Sequence, residues 1–308
     1  MNNTKTRINT IFLIDGMDND GRACDIIAKA YCKETYSKAL YIYLDRSKKV
    51  MNAPIWSNEC DPEKTRDFEE VMSEIIDNYD LSETGIITGD IAPTEEQYNF
   101  LIEFIPSHRI VVCDHHELDY IPTCEHNYNR YKCGATILRE FLFIGDEGEE
   151  LCKYIQDRDL FTKEFNPTTD IIYHAVGKED RISDDELIDI VYSNDVSKLI
   201  EIGKPFYDEY ITTCTELSKE YEINMIDGLQ CLCYEDVAGL YTSDTLNIGL
   251  KNNPQADIAL NKKWLDHLGK FAYGMRSIKG KGLDFVKRYG GGGHANGNTG
   301  GFSTEELY

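Results

Sequence analysis

The chain has 308 residues, of which 41% are hydrophobic and 11% aromatic, and 55 acidic against 32 basic residues give it a formal charge of −23. This composition supports a packed core and argues against a disordered chain. Long polyanions bind to stripes of Lys and Arg, which this sequence lacks. The charge therefore argues against an extended duplex nucleic-acid interface, but not against a small phosphorylated ligand.

The N-terminal segment and the cysteines argue against two further classes of protein. The segment "MNNTKTRINT" lacks the hydrophobic region of a signal peptide, and no apolar run reaches the length of a membrane span. We therefore expect a cytoplasmic protein with no membrane partner. The ten cysteines include no CxxC pair, which favours reduced, buried thiols over disulfides or zinc ligands.

Short apolar strands alternate with amphipathic helices through the first half of the chain. The pattern predicts strands at 11–14, 39–45, 85–88 and 108–113, and helices at 22–32, 65–79, 94–105, 134–144 and 147–156. Strands and helices that alternate at this spacing are typical of right-handed crossover connections. The predicted fold is α/β, with a mainly parallel sheet and helices on both faces.

The pattern changes after residue 185. A long helical segment covers 196–221 and contains Pro205, which should start or kink the helix. Strand-like runs follow at 229–235, 256–264 and 270–277. We expect a large domain of residues 1–195, a connecting helix of 196–220 and a smaller α/β domain of 221–308.

Acidic and histidine side chains follow three of the predicted strands. They are Asp15, Asp18 and Asp20 after 11–14, Asp90 after 85–88, and Asp114, His115 and His116 after 108–113. Ligands bind at the carboxyl ends of parallel strands, and carboxylates with an imidazole suit Mn²⁺ or Mg²⁺. Each residue alone could belong to an ordinary polar turn. Their occurrence at three strand ends favours a metal site.

Three further features are candidates with weaker individual support. Asp157, in "YIQDRDLF", could bind metal or pair with Arg158. The four glycines Gly290–Gly293 have backbone N–H groups that could approach an anion, and the alternative is a flexible surface turn. Arg276 ends a strand-like run, and its guanidinium suits a phosphate or carboxylate.

Three motifs in this order resemble the DHH phosphoesterase superfamily. They are an Asp-x-Asp-Gly first motif, "DHH" after a β-branched strand, and "GGGGH" near the C-terminus, and together they extend from residue 11 to 302. The likeness is to the branch with the DHH-associated C-terminal domain, which includes RecJ exonucleases, oligoribonucleases and cyclic-dinucleotide phosphodiesterases. It implies that 1–195 is the metal-binding catalytic domain and 221–308 the substrate-binding domain.

The resemblance also implies a role for each candidate residue. Two cations would activate a water and stabilise the attacking and leaving oxygens. The metal ligands would be Asp18, Asp20, Asp90, His115 and Asp157, with Asp90 bridging both ions. His116 would lie near the scissile phosphate, with Asp114 supporting the histidines. The substrate would be held by Arg276, Gly291, Gly292, Gly293 and His294.

The sequence departs from the family pattern at two places. The family usually has a histidine at the position of Gly16, and Asp15 is the nearest substitute as a ligand for the first metal. The family's "GGGHxxAAG" is replaced by the longer and more polar "GGGGHANGNTGG". The first departure bears on metal binding and the second on which end of the substrate is accepted.

Three functions are compatible with these residues. The leading hypothesis is a Mn²⁺-dependent phosphodiesterase or exonuclease, with Mg²⁺ as an alternative ion, acting on short oligonucleotides or (cyclic) dinucleotides. A RecJ-like single-strand DNA exonuclease would need a basic groove lined by aromatics, and Lys and Arg do not cluster with the 20 tyrosines. The third hypothesis is a degenerate member that binds a nucleotide without hydrolysis. A second copy of the chain is a further candidate partner.

Overall fold

The computed structural model describes residues 5–61, 63–266, 268–293 and 298–308. The chain divides into two compact units, Met1–Phe206 and Tyr207–Tyr308. The division falls within the helix Ser197–Leu217, which contains Pro205. Within the described ranges, no helix is both long enough and apolar enough to cross a membrane.

The first unit contains a mainly parallel sheet and its covering helices. Its strands are β1 (Thr6–Arg7), β2 (Thr10–Asp15), β3 (Ala39–Leu44), β4 (Val50–Met51), β5 (Thr65–Arg66), β6 (Tyr79–Asp80), β7 (Gly85–Gly89), β8 (Ile110–Asp114) and β9 (Glu125–Tyr128). Its helices are α1 (Asn19–Thr35), α2 (Phe68–Asn78), α3 (Glu95–Ile102), α4 (Gly134–Leu142), α5 (Glu149–Asp159), α6 (Thr168–Val176), α7 (Asp184–Ser193) and the start of α8 (Ser197–Leu217).

The order of strands in the main sheet is β5-β4-β3-β2-β7-β8-β9. From β3 to β9 every neighbouring pair is parallel, whereas β4 and β5 are antiparallel additions at one edge. The predicted α/β class with a mainly parallel sheet is therefore confirmed. Parallel pairing brings the carboxyl ends of β2, β7 and β8 to the same edge.

Strand β2 shows how one sheet holds two layers of helices. Its side chains alternate between the two faces, as the pleat of a strand requires. Phe12 and Ile14 pack in a core with residues of α1 and α4 to α7, while Ile11 and Leu13 pack in a second core with residues of α2 and α3. All four side chains are fully buried. Helices on both faces are thus confirmed.

A buried polar group, which we call the Lys29 network, lies beside the larger core. Asp25 is fully buried on α1. The ammonium of Lys29 lies 2.7 Å from one oxygen of Asp25 and 2.6 Å from a carboxylate oxygen of Asp184. The hydroxyl of Tyr43 donates a 2.9 Å hydrogen bond to the other oxygen of Asp25. The network therefore matches its negative charges with a cation and a hydrogen-bond donor.

The second unit is a mixed sheet with two helices and the end of α8. Its elements are β10 (Glu222–Ile226), β11 (Leu229–Glu235), α9 (Gly239–Asn252), β12 (Ile258–Leu265), β13 (Lys270–Arg276), α10 (Gly282–Arg288), β14 (Gly292–Gly293) and β15 (Thr299–Thr304). The strand order is β10-β11-β12-β13-β15-β14, with β11 and β12 parallel and the other pairs antiparallel. Leu246 of α9 and Phe285 of α10 are buried in separate cores.

Candidate metal centre

Three buried carboxylates come from the carboxyl ends of adjacent parallel strands. Asp15 is the last residue of β2, Asp90 follows β7 directly, and Asp114 is the last residue of β8. Their exposed fractions are 7%, 2% and 1%. The sheet topology thus gathers acidic groups from distant parts of the sequence at one edge, where parallel sheets bind ligands.

Asp90 occupies this edge in an unusual backbone conformation. Its φ is 61°, in the left-handed region that residues with a Cβ atom seldom adopt. The first residue of α4, Gly134, faces it, and a Cβ atom on Gly134 would lie 2.4 Å from the Cβ atom of Asp90. Glycine at 134 is therefore required for Asp90 to lie where it does. Residues held in such conformations are concentrated at functional sites.

Asp18 and Asp20 are held by the N-termini of two helices. Asp18 caps α1, and one of its carboxylate oxygens accepts hydrogen bonds from the N–H groups of Asp20 and Gly21 at 3.0 and 3.1 Å. The carboxylate of Asp20 accepts hydrogen bonds from the N–H groups of Gly134 and Ala135 at 2.7 and 2.9 Å, which caps α4. These bonds fix both carboxylates and leave further lone pairs on their oxygens.

His115 lies close to two carboxylates, each with an oxygen that accepts no hydrogen bond from the described residues. Its Nε2 atom lies 3.3 Å from Oδ1 of Asp90 and 3.7 Å from Oδ2 of Asp159. Both oxygens are buried, and neither accepts a hydrogen bond from any described residue. Buried polar atoms are normally satisfied, because leaving one without a partner is costly. A bound cation would satisfy both oxygens.

The described residues provide three overlapping sets of potential ligand atoms within 4.8 Å of one another. We call their union the acidic cluster. The sets are Asp15, Asp18 and Asp90; Asp20, His115 and Asp159; and Asp90, Asp114, His115 and His116. Carboxylate oxygens with imidazole nitrogen are suited to hard divalent cations such as Mn²⁺ and Mg²⁺. The chemistry of these donors therefore fits a divalent metal site.

The pKa shifts within the acidic cluster also favour cation binding. Burial and the charge of Asp18 raise the pKa of Asp15 to about 7. Burial and the charges of Asp20 and Asp18 also raise the pKa values of Asp90 and Asp159. The pKa of His115 is lowered, chiefly by burial, which favours the neutral imidazole that binds metal. The negative charges of these carboxylates are therefore not offset by neighbouring positive charges.

His116 differs from its neighbour His115 in exposure and in partner. Its Nδ1 atom lies 2.8 Å from a carboxylate oxygen of Asp114, and its backbone N–H donates to the same oxygen at 3.1 Å. Its side chain is 62% exposed. The hydrogen bond to Asp114 raises the pKa of His116. Asp114 therefore orients the ring and favours its protonated form, with Nε2 left for other partners.

Asp157 and Asp159 are two residues apart at the end of α5, but they have different surroundings. The Asp157 carboxylate accepts hydrogen bonds from the N–H groups of Glu164 and Phe165 at 2.7 and 3.2 Å. The hydroxyls of Thr162 and Thr169 also donate to it. Burial raises its pKa, but these bonds outweigh burial and the pKa is lowered. Asp157 thus connects α5 to the following loop, and Asp159 is the residue within reach of His115.

Gly16 is tightly packed between β3 and β4. A Cβ atom at this position would lie 2.6 Å from the sulfur of Met51 and 3.1 Å from the Cβ atom of Tyr43. The imidazole that the resemblance leads one to expect here therefore cannot be added without moving both neighbours. Asp15 lies next to it with one oxygen accepting a 2.8 Å hydrogen bond from the N–H of Met17. The Asp15 carboxylate also provides a potential ligand atom to the set with Asp18 and Asp90.

The remaining candidates lie in the second unit. Arg276, at the end of β13, donates to the carbonyl of Met275 at 2.8 Å and to the hydroxyl of Ser243. Gly292 and Gly293 form β14 and pair with β15, and Gly291 precedes them. A Cβ atom on Gly291 would lie 2.3 Å from the carbonyl oxygen of Gly301, so glycine is needed there for close packing. His294 lies outside the described residues.

The solved structures similar to this chain include two that share its fold at low sequence identity. The pGpG-specific phosphodiesterase PggH from Vibrio cholerae is 13% identical, with a TM-score of 0.50, over 96% of this chain and 93% of that one. An exopolyphosphatase-related protein from Bacteroides fragilis is 13% identical, with a TM-score of 0.52, over 99% and 89%. Both are members of the DHH superfamily. This chain has the fold of these two DHH-superfamily proteins.

The DHH fold was predicted from the order of three short motifs, and that resemblance is confirmed at the level of the fold. No protein-family model matches the chain, and no curated protein matches it. The assignment therefore depends on topology and on the short motifs rather than on overall sequence similarity. Asp159 and Gly134 were not among the predicted site residues. Asp159 stands two residues after Asp157 in the sequence, whereas no sequence signal indicated Gly134.

Proposed function

We propose that this chain is a divalent-metal-dependent phosphodiesterase that acts on short oligonucleotides or (cyclic) dinucleotides. One observation carries the proposal. Buried oxygens of Asp90 and Asp159 without a hydrogen-bond donor among the described residues face the neutral imidazole of His115, at the carboxyl edge of a parallel sheet. Cation binding explains why a folded protein keeps such oxygens buried.

The proposed ligands are divided between two cations, with Mn²⁺ as the preferred ion. Asp18 and Asp90, assisted by Asp15, would hold one cation, and Asp20, Asp90, His115 and Asp159 would hold the other. Asp159 takes the role that the sequence suggested for Asp157, because the oxygens of Asp157 are already engaged with Thr162, Glu164 and their neighbours. Divalent cations in such a site supply Lewis acidity, which stabilises negative charge on phosphate oxygens and increases the nucleophilicity of water.

His116 is the proposed proton donor. Asp114 holds its Nδ1 atom, so the Nε2 atom remains for the substrate. Because the hydrogen bond to Asp114 raises the pKa of His116, a larger fraction of imidazolium is present near neutral pH. An imidazolium beside a scissile phosphodiester can donate its Nε2 proton to the leaving oxygen, which would otherwise depart as an alkoxide.

The proposed substrate is short because of the charge of the chain. Each added phosphate brings another negative charge toward a protein of net charge −23, and longer strands require a basic groove. One of the two similar structures is called a pGpG-specific phosphodiesterase, and a dinucleotide is of the size proposed here. The roles of Arg276, Gly291, Gly292, Gly293 and His294 in holding the substrate remain predictions.

A hydrolysis assay over a panel of phosphate esters tests the proposal. The panel contains di- to pentanucleotides, cyclic dinucleotides, a long single strand and pyrophosphate, each with Mn²⁺, with Mg²⁺ and after chelation. We expect Mn²⁺-dependent cleavage of the short diesters and none after chelation. His115→Ala should abolish this cleavage, and His108→Ala, at an exposed histidine outside the cluster, should preserve it. No cleavage of any diester with either ion would overturn the proposal.

A nucleotide-binding protein without hydrolysis is the second candidate, and the packing of Gly16 favours it. The position that carries a histidine in the resembling family cannot accept a side chain here without moving Met51 and Tyr43. If the site bound the first cation too weakly for hydrolysis, the second cation would still bind a phosphorylated ligand. Calorimetry with a dinucleotide and Mn²⁺ separates the candidates, because binding without turnover supports this one.

A further inference from the structure

A cleft of ≈ 900 Å³ lies next to the acidic cluster in the first unit. Asp114 and His116 form part of its wall, and the segment from Ala92 to Glu96 and helix α3 form another part. Most of its charged residues are acidic. Besides Asp114 they are Glu69, Glu95, Glu96, Glu103, Glu117 and Asp119. Among the described residues that line the cleft, Lys48 is the single Lys or Arg.

The backbone of Lys48 is fixed from both sides. Lys48 has a φ of 63°, the left-handed region that residues with a Cβ atom avoid. Its N–H donates to the carbonyl of Asp45 at 2.8 Å, which closes a turn between β3 and β4. Its own carbonyl accepts a 2.8 Å hydrogen bond from the side chain of Gln97. Gln97 is itself fixed in a capping box with Thr94 at the start of α3.

The turn is further stabilised by the side chain of Asp45. Its carboxylate accepts hydrogen bonds from the N–H of Lys49 at 2.9 Å and from the hydroxyl of Ser47 at 2.7 Å. An unfavourable conformation persists only where the surroundings determine it strongly. Here two hydrogen bonds hold the Lys48 backbone and two more hold the turn around it, and the result is a half-buried lysine at the wall of the cleft.

The ammonium of Lys48 is surrounded by negative charge but forms no ion pair with any described residue. Burial lowers its pKa, while the carboxylates of Asp114, Asp15 and Asp90 act in the opposite direction. It forms no salt bridge within 4.0 Å in the described part of the chain, unlike Lys29 or Lys132. A cation placed near carboxylates without contacting them is available to an anionic group of a ligand.

On the basis of the proposed function, we propose that Lys48 binds a non-bridging phosphate oxygen of the substrate and thereby positions the phosphodiester beside His116. Lys is suited to this because an ammonium is a compact charge on a flexible stem, which can approach a phosphate from several directions. The acidic residues around it repel additional phosphates. Lys48 is therefore a substrate-binding residue, and a single cation among acidic residues favours a substrate with few phosphates over a long strand.

Three variants test the role of Lys48. Lys48→Met removes the charge, Lys48→Arg retains it, and Lys49→Met removes the same charge from an exposed neighbour in the same turn. Losing a charge-assisted hydrogen bond should raise KM for a dinucleotide by about tenfold or more in Lys48→Met. We expect kcat and Mn²⁺ affinity to be nearly unchanged, KM to depend less on salt, Lys48→Arg to recover part of the loss, and Lys49→Met to resemble the wild type.

Two outcomes would overturn the role of Lys48. One is a KM for Lys48→Met equal to that of Lys49→Met. The other is a loss of Mn²⁺ affinity or melting temperature that accounts for the whole defect, which would indicate a structural role. If the wild type hydrolyses no diester, the proposed function fails separately. In that case, calorimetry with a dinucleotide phosphorothioate decides, because an equal Kd for Lys48→Met and wild type contradicts phosphate binding and a raised Kd supports it.

Discussion

The acidic cluster and the Lys29 network are two groups of buried carboxylates that lie in the same unit and involve the same helix, α1. In the network, Asp25 has an ammonium at 2.7 Å and a hydroxyl donor at 2.9 Å. In the cluster, buried oxygens of Asp90 and Asp159 accept no hydrogen bond from the described residues. Both groups contain buried carboxylates. Asp25 has hydrogen-bonding and charged partners, whereas these oxygens of Asp90 and Asp159 have none among the described residues.

This difference distinguishes a structural carboxylate from a proposed metal ligand. Removing a partner from a buried pair is strongly destabilising because it leaves an uncompensated charge. A carboxylate that already lacks a partner should behave in the opposite way, since neutralising it removes a cost. Variants in the Lys29 network should therefore lower stability and leave chemistry intact. Variants of Asp90 and Asp159 should lower activity and leave stability intact.

The largest effect is expected for Asp90→Asn. The change keeps the shape of the side chain but weakens a ligand proposed to bridge two cations, so activity should fall by about a thousandfold, equivalent to ~4 kcal/mol in the activation barrier. The metal-free variant should unfold at the same temperature as the wild type or a higher one, since a buried charge is removed. Enzyme assays and thermal unfolding after chelation measure the two effects.

Asp77→Asn, at an exposed position on α2, is the matched control for Asp90→Asn and should leave both quantities unchanged. If Asp90→Asn retained wild-type turnover at saturating Mn²⁺, Asp90 could not be a bridging ligand. If it unfolded at a much lower temperature, the contrast between the two groups of carboxylates would be wrong.

Lys29→Met should have the next largest effect, and on stability alone. Without the ammonium, Asp25 stays buried with only the Tyr43 hydroxyl as a side-chain partner, and breaking such a pair costs about 3 kcal/mol. Urea denaturation should show this loss, while turnover per folded molecule stays at the wild-type value. Lys33→Met, at an exposed position in the last turn of the same helix, should be neutral. Equal stabilities for the two variants would mean that the network contributes nothing.

Asp157→Asn and Asp159→Asn compare the two carboxylates on one helix. An amide at 157 would point an NH₂ group at hydrogen-bond donors, which should cost about 2 kcal/mol of stability. An amide at 159 should cost no stability but reduce Mn²⁺ affinity and turnover, because a ligand oxygen is lost. Denaturation and metal titration of both variants show which carboxylate stabilises the fold and which binds metal. If Asp159→Asn bound Mn²⁺ normally and a well-folded Asp157→Asn did not, Asp157 would be the metal ligand, as the sequence predicted.

The smallest effect concerns Asp15 and pH. Its pKa is raised by burial and by Asp18 to about 7, above the ordinary value of about 3.9. The folded state therefore binds the proton more tightly, and the associated stability is present below about pH 4 and is lost as pH rises to about 7. In metal-free protein, Asp15→Asn should remove this pH dependence of the free energy of unfolding. If the stability of the metal-free wild type and of Asp15→Asn depended on pH in the same way, this would contradict the raised pKa of Asp15.

Much of the fold could be predicted because periodicity is a local property of the sequence. The run of Ile11 to Ile14 is apolar on both faces, which is typical of a strand covered by helices on both sides. Helix α9 could not be predicted in the same way. Its sequence GLYTSDTLNIGLKN contains two glycines and several β-branched or polar residues, and its helical state depends on packing Leu246 and Leu250 against the sheet.

The candidate site was only partly predictable, because a motif identifies strand ends but not the contacts around them. Asp90 and His115 were expected at the site, and the sheet brings them together. The choice between Asp157 and Asp159 depends on which side chain lies near His115 and on the hydrogen bonds that the residues after α5 donate to Asp157. Gly134 lies far from Asp90 in sequence, and their contact becomes visible only in three dimensions.

The cap that Asp20 provides for α4 also offers a spectroscopic probe of the cluster. The N–H groups of Gly134 and Ala135 donate to the two oxygens of one carboxylate, and a cation on that carboxylate would withdraw electron density from both bonds. The two amide resonances should then shift together during a titration with diamagnetic Mg²⁺ and broaden with paramagnetic Mn²⁺. Occupancy of the second cation site could thus be followed by NMR in the absence of substrate or turnover.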